Sequence, residues 1–424
     1  MLTTITRALA NFQKMKNEGN AMLAKEKGML TISGIPVYPI FGGTLPVRQE
    51  GILTSGDLVT TTADGIDLNA LWNSFSESIQ IYNEDMDAIL GILTYPVTTP
   101  VEPVVQIGEM TFEEASQMGV PRGAGLPIEV FQMGYDLRHY DKRNAYTWMF
   151  LADADSRQLD AIHNAVLWAD KRNLFRKCME AIFDNRTRRA NIRNQAYNVY
   201  PLYNADGTVP PQFKTNVFDG THSHYMTSAN SAIDSSDLDD LFEQIAEHGY
   251  NQQAGTQFLL LANKAEVDVM KTFRRGVINN NGITAAYDFI PAPSQPAQVL
   301  PNAEGLLGNQ PGDVWNGVPL VGSYGFWNIC EEQYIPQGYL LGVGFGGRFA
   351  LTNPVGLRQP DQPAMQGLRV IAGNYQRYPL VDGFYAHSFG TGIRQRGGAA
   401  VMQITSSDTY TIPPQYKKGG GFLV

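Results

Sequence analysis

The chain has 424 residues and a formal net charge of −9, with 43% hydrophobic, 17% charged and 11% aromatic residues. That length allows two or three structural units with sizeable cores, and the apolar fraction excludes a disordered chain. The acidic balance excludes a protein that wraps nucleic acid electrostatically, because phosphate binding needs a basic face.

The low charge, with 42 glycines and 24 prolines, suits many loops and a surface covered by partners rather than water. Cys178 and Cys330 are the two cysteines, and they imply no disulfide framework; a reducing site of folding is the default. The start "MLTTITRALANF" lacks the apolar core of a signal peptide. No apolar run approaches the roughly 20 residues that a bilayer span needs.

Leu2, Ile5, Leu9 and Phe12 fall at helical spacing and predict an amphipathic helix over 2–16. Residues 30–66, rich in Gly, Pro and Thr, read as an extended arm. A stripe of Leu68, Trp72, Phe75, Ile79, Tyr82, Met86 and Leu93 predicts a helix over 67–93 with Asp67 as its cap, and three prolines in "TYPVTTPVEP" end it.

Extended limbs, 103–112 and 128–140, then flank "MGVPRGAGLP" at 118–127, a tip that cannot build a core of its own. The return limb puts Phe131, Met133, Tyr135 and Leu137 on one face and Gln132, Asp136 and Arg138 on the other. Ile128 and Val130 have the opposite parity, so a bulge or bend is expected where the arm leaves the body.

The longest helix is expected over 153–184, where Leu159, Ile162, Val166, Leu174, Cys178 and Ile182 mark one side. Loop and short strands follow over 185–233. Ser235 or Ser236 caps a further helix through Leu238, Leu241, Phe242 and Ile245, stopped at Gly249. "FLLLA" at 258–262 reads as a buried strand, and Asn263 caps the next helix with Glu266 at the capping-box position. Residues 274–312 read as a long surface loop, and "DVWNGVPLV" as a hairpin turning at Asn316-Gly317. Short strands are expected at "GYLLGVGF", "GLRVIAGNY" and "AAVMQIT", before a short tail.

"GVGFGG" at 342–347 matches a dinucleotide-binding pattern in form only, since Pro354 leaves no room for the helix that must receive the pyrophosphate. His222 and His224, with Asp219 nearby, fall short of the three or four ligands of a zinc site, and a solvated loop is the favoured reading. His163 reads as a helix-surface or interface residue. Eight basic residues between Lys171 and Arg193 read as inter-subunit or solvated ion pairs rather than a DNA surface, with "DSSDLDDLFEQ" as a source of acidic partners on a neighbouring copy. No catalytic, cofactor-binding or metal-binding residue is assigned, and no enzyme activity is expected.

In this order, the extended arm, the helix 153–184, the lobe "DLDDLFEQIAEHGYNQQAGTQFLLLANKAEVDVMKTF", the hairpin "WNGVPLVGS" and the closing strand "FGTGIRQRGGAAVMQI" resemble the major capsid proteins of tailed bacteriophages, of the Hong Kong 97-type fold. The resemblance implies an α+β chain. It divides into an N-terminal helix and arm (1–66), a helix leading into the peripheral domain (67–102), a β-arm or E-loop (103–138), and a peripheral domain with spine helix and insertion (139–233). An axial domain (234–345) and return strands with a C-terminal tail (346–424) complete it.

The implied function is a shell of hexamers and pentamers around double-stranded DNA, assembled in the host cytoplasm with no membrane. The implied partners are other copies of the chain, a portal, separate scaffolding or decoration proteins where present, and the packaged DNA, held without sequence preference. Glu113, Glu114 and Arg122 on the arm, with Arg172, Arg176, Arg188 and Arg189, are the candidate inter-subunit contacts. Some members of the family weld the shell through an arm lysine, but no lysine lies between Lys27 and Lys142 here, so a non-covalent shell is expected. No cleaved N-terminal scaffold segment is expected either. An encapsulin-type protein compartment of the same fold and a soluble metal-dependent hydrolase are the alternatives.

Overall fold

The structure, a computed structural model, describes residues 31–32, 35–36, 61–84, 87–107, 114, 119, 128–192, 194–295, 311–377 and 380–417. The expected N-terminal helix and most of the N-terminal arm lie outside these residues. The chain divides into two units: Met1–Asp85, His139–Lys171 and Gly367–His387 form one, and Met86–Arg138, Arg172–Gln366 and Ser388–Val424 the other.

In the first unit, the helix Leu68–Glu84 buries Leu68, Leu71, Phe75 and Ile79. Asp67 caps it as expected, accepting from the Asn69 backbone N–H at 2.7 Å. The spine helix runs from Ser156 to Phe183, and its part up to Lys171 belongs to this unit. Leu159 joins Leu68, Leu71, Phe75 and Leu151 in one apolar cluster, while Val166 and Leu167 pack on Ile79, Leu368 and Tyr385 in another.

His163 lies inside this unit, not at the surface that the sequence suggested. Its Nε2 is 2.7 Å from Ser78 Oγ, its Nδ1 is 2.8 Å from Tyr385 Oη, and its ring stacks on Phe75 at 4.2 Å. Ser78 spends its own proton on the Phe75 carbonyl, so His163 donates through Nε2 and accepts the Tyr385 proton at Nδ1. One turn pair further along, Asp170 accepts from Tyr82 at 3.0 Å and meets His387 Nδ1 at 2.9 Å. A helix with polar groups on its inner face is thus held by matched hydrogen bonds rather than by a plain apolar stripe.

The second unit is built on a seven-stranded sheet in the order Phe289–Pro291, Gly322–Tyr324, Trp327–Glu331, Gln257–Ala262, Tyr339–Phe345, Ala399–Gln403, Tyr225–Thr227. The strand predicted at "FLLLA" is central and buried throughout. Leu238, Leu241 and Ile245 of the helix Ser235–Ala246 pack on this sheet in one core with Phe258, Trp327 and Leu340. Gly342 and Gly344 let that helix approach. A β-carbon on Gly342 would lie 2.9 Å from Leu241 Cδ2, and one on Gly344 3.1 Å from Ile245 Cγ2. Gly342 and Gly344 of "GVGFGG" therefore serve helix–sheet packing, and no α-helix follows them among the described residues. At the 314–319 hairpin, Asn316 and Gly317 both take positive φ, as an Asn-Gly turn of this kind requires.

Four expectations need correction. The 67–93 stripe is two helices, Leu68–Glu84 and Ala88–Leu93, because Asp87 caps a new start by accepting from the Ile89 N–H. The helix at 235 is capped by Asp234, whose carboxylate accepts from Ser236 and Asp237 while Asp237 returns a bond to its backbone. Glu266 does not close a capping box on Asn263 in the expected way; it accepts from the Gly338 N–H at 2.8 Å. The 274–312 segment is not loop alone, since Phe289–Pro291 pairs at the sheet edge with Phe289 fully buried.

Burial pushes the His163 pKa below its ordinary 6.5. The unfolded chain then binds a proton that the folded chain refuses. The His163 contribution is complete above 6.5 and is lost as pH falls through and below that value. Chemical unfolding of the subunit should show lower stability at about pH 5 than at about pH 7, with a shallower slope in His163→Gln. His163→Leu leaves the buried Tyr385 hydroxyl without its acceptor and should cost about 1–3 kcal/mol.

Candidate functional site

The arm begins as a two-stranded ribbon. Val101–Ile107 and Ile128–Gly134 pair antiparallel, in unbroken register from Val101 opposite Gly134 to Ile107 opposite Ile128. No bulge lies within 128–134, where the ladder is regular; of the expected bulge or bend, a change of course comes after Gly134, where the strand ends. Phe131 meets Tyr200 edge to face at 6.2 Å, while Val130, on the other face, is 53% exposed. Glu113 and most of the tip, including Arg122, lie outside the described residues; Glu114 and Gly119 are exposed.

The return limb does not continue as strand through Leu137. It ends at Gly134, and Tyr135 turns into the body. Tyr135 is 1% exposed, and its hydroxyl is 2.9 Å from that of Tyr95 and donates to Glu102 at 3.0 Å. Arg394 stands 3.4 Å from the same Glu102 carboxylate. Burial raises the pKa of both tyrosines, so both remain neutral donors. The Tyr135 backbone is held as well: its N–H donates to the Pro100 carbonyl at 3.0 Å, and its carbonyl accepts from Arg358 at 3.1 Å.

Three glycines make this seat. The strand Val355–Arg358 lies between Thr94–Val97 and the end of Leu380–Ile393. A β-carbon on Gly356 would fall 2.4 Å from Tyr135 Cε1, and one on Gly392 2.6 Å from Tyr135 Cδ1. One on Gly390 would fall 1.5 Å from the Asp136 carbonyl oxygen. Gly390 and Gly392 are two apart on one strand and so face the same way. That spacing was the available sequence signal for a seat, but nothing local names the tyrosine it receives. Pro96, which cannot donate, is exposed on the edge strand Thr94–Val97.

The arginines assigned from sequence fall on two elements. Arg172 is exposed and Arg176 half-buried on the spine helix; Arg188 is half-buried and Arg189 exposed on the hairpin Arg188–Ile192 and Gln195–Val199. The arm base leans on this hairpin, where a β-carbon on Gly134 would meet Tyr197 Cβ at 2.8 Å. Two neighbouring basic residues are satisfied within the chain instead of across an interface: Lys177 pairs with Glu180 at 2.6 Å and Arg186 with Asp184 at 2.7 Å. In the acidic run, Asp234 and Asp237 are buried in their capping box and are not surface partners.

The histidine pair is also placed differently from expectation. His224 is fully buried, so a solvated loop does not describe it. Asp219 spends its carboxylate on Thr221. The third group beside the pair is His248, which follows the helix Ser235–Ala246 and puts its Nε2 2.9 Å from the Nε2 of both His222 and His224.

Gly390→Ala drives a methyl group into the Asp136 carbonyl, and should cost about 3 kcal/mol or leave the subunit insoluble. Tyr135→Phe removes one hydroxyl from the seat and should cost only about 1 kcal/mol. Chemical unfolding and soluble yield of the two variants check this difference.

No protein-family model and no curated protein matches the sequence. A solved structure from Mycobacterium phage Patience is 77% identical, with a TM-score of 0.70, over 90% of this chain and all (100%) of that one. The mature capsid of bacteriophage PhiM1 is 10% identical with a TM-score of 0.44, covering 74% of this chain and 86% of that one. A holo-encapsulin complex from Synechococcus elongatus is 12% identical with a TM-score of 0.42, covering 76% and 89%. Likeness at these last two levels carries no weight in choosing between shells. The match at 77% identity does, and with the α+β architecture described above the chain belongs to the major capsid proteins of tailed bacteriophages, of the Hong Kong 97-type fold.

Proposed function

We propose that copies of this chain assemble as hexamers and pentamers into the icosahedral head around double-stranded DNA, each arm lying over the neighbouring subunit. The observation that carries this reading is the arm itself. Its root is locked by Tyr135 and three glycines, while its two strands, among the described residues, pair only with each other in the ladder and leave Val130 exposed. A ribbon of two strands has little stability alone, and burial against a neighbour supplies what it lacks. Large apolar residues exposed on the first unit, among them Ile81, Met149 and Trp168 at 61–64%, suit the same purpose.

In this reading the seven-stranded lobe is the axial domain that gathers around the symmetry axes, and 139–233 with the return strands is the peripheral domain. Arg172, Arg176, Arg188 and Arg189, with Glu113, Glu114 and Arg122 of the arm, contact neighbouring copies. The net charge of −9 suits a wall that holds packed DNA without sticking to it. The arm contains no lysine, so strand pairing and packing hold the shell without an isopeptide weld. The protein acts through assembly, not catalysis. A portal, with separate scaffolding or decoration proteins where present, completes the head in the host cytoplasm.

Electron microscopy of the expressed protein should show closed shells, and a denaturing gel of those shells should show one monomer band. A covalent ladder on that gel would remove the non-covalent reading, and a protease-resistant monomer at high concentration would remove the assembly reading. Arg188→Glu with Arg189→Glu should reduce shell yield while changing subunit stability by less than about 0.5 kcal/mol.

A further inference from the structure

Three imidazoles from two separate stretches of chain point their Nε2 atoms at one spot in the second unit. His224 is oriented from both sides. Its backbone N–H donates to the Tyr203 carbonyl at 2.7 Å, and its carbonyl accepts from Val401 at 2.9 Å. Its Nδ1 is 2.7 Å from the Ala399 carbonyl oxygen. A carbonyl can only accept, so the ring proton sits on Nδ1 and Nε2 carries a bare lone pair.

His222 is fixed by Gln244. The Gln244 amide nitrogen donates to the Ser223 carbonyl at 3.0 Å and lies 3.1 Å from His222 Nε2, which makes that atom an acceptor too. His248 Nε2 lies 2.9 Å from both of these acceptors. It owns at most one proton there and can give it to only one of them, so three ring nitrogens crowd one point, all within 4.8 Å of one another, with a single proton of their own between them. With the His248 proton on Nδ1 instead, a cation at the centre gives all three lone pairs a partner.

We propose that His222, His224 and His248 bind one divalent transition-metal ion of the zinc class through their Nε2 atoms, stapling the loop before Tyr225 to the end of the helix Ser235–Ala246. Imidazole nitrogen suits zinc, copper and nickel, whereas calcium and magnesium want oxygen donors. Tetrahedral zinc with bonds of about 2.0–2.1 Å needs nitrogens about 3.3 Å apart, which small ring rotations supply. A water completes the fourth position.

The surroundings agree with this role. The Nδ1 bond of His224 to a backbone carbonyl is the outer contact that metal-bound histidines commonly make. His248 follows a helix C-terminus, where partial negative charge favours a cation. Its ring lies parallel to Phe218 at 4.4 Å and to Tyr203 at 5.4 Å, and Gly397 leaves room for it. The nearby Arg396 charge is balanced by Asp206 at 2.8 Å.

Elemental analysis of shells purified without chelator should find about one zinc, copper or nickel ion per subunit. Stripped subunit should take up Co²⁺ with the strong visible absorption of a four-coordinate site, and Zn²⁺ should raise its unfolding midpoint. His248→Ala should abolish both responses. Because that variant loses packing as well, His222→Gln, at the half-buried edge, is the second test: it should remain folded by circular dichroism and bind at least tenfold more weakly. Wild-type subunit that takes up neither Zn²⁺ nor Co²⁺, or that binds them as His222→Gln does, would overturn the proposal. Neither result bears on whether shells form.

Discussion

A β-carbon on Gly390 would sit 1.5 Å from the carbonyl oxygen of Asp136, so the two backbones meet with nothing between them. The arm's placement depends on this close approach. It lets Tyr135 leave the ladder, lie across Gly356 and Gly392, and reach Tyr95 and Glu102. Any side chain at Gly390 would lift the return strand off its seat. The position of a remote, exposed ribbon is thus decided by the absence of side chains at its root.

Elsewhere the chain relies on buried polar side chains held by specific hydrogen bonds. His163 bridges Ser78 and Tyr385, and Asp170 joins Tyr82 to His387. Asn353, fully buried, donates to the carbonyls of Gly91, Thr94 and Gly347 and ties the turn after the "GVGFGG" strand to the short helix Ala88–Leu93. Arg396 serves the carbonyls of Pro201 and Leu202 as well as Asp206. Unpaired, each of these groups would be costly to bury, so each accepts one geometry and rejects its neighbours. For a subunit that must repeat identically through a shell, such selectivity is as useful as stability. The low charge content then has a physical sense: little surface needs to remain wet when neighbours cover much of it.

Elements with a strong local period were legible in the sequence. The spine helix, the buried strand at 258–262, the Asn316-Gly317 hairpin and the strands at 339–345, 368–377 and 399–403 all appear where the spacing of apolar residues and turn chemistry put them. Boundaries and caps were less legible. Asp234 displaced Ser235 as a cap, and Asp87 split a continuous stripe, because several adjacent residues could each accept the same backbone protons. The fate of the polar helix residue His163 could not be read at all, since its partners Ser78 and Tyr385 come from distant segments.

The sequence by itself determined the strongly periodic helices and strands, and that no lysine lies between Lys27 and Lys142 to weld the arm. Those properties depend on neighbours a few residues apart. Only the tertiary structure decided that Gly356, Gly390 and Gly392 form a seat for Tyr135, and that His248 joins His222 and His224. A glycine shows where a side chain is missing, and a histidine shows a nitrogen with a lone pair. What comes to fill the gap or share the lone pair is set by chain packing, which brings together residues that no local pattern connects.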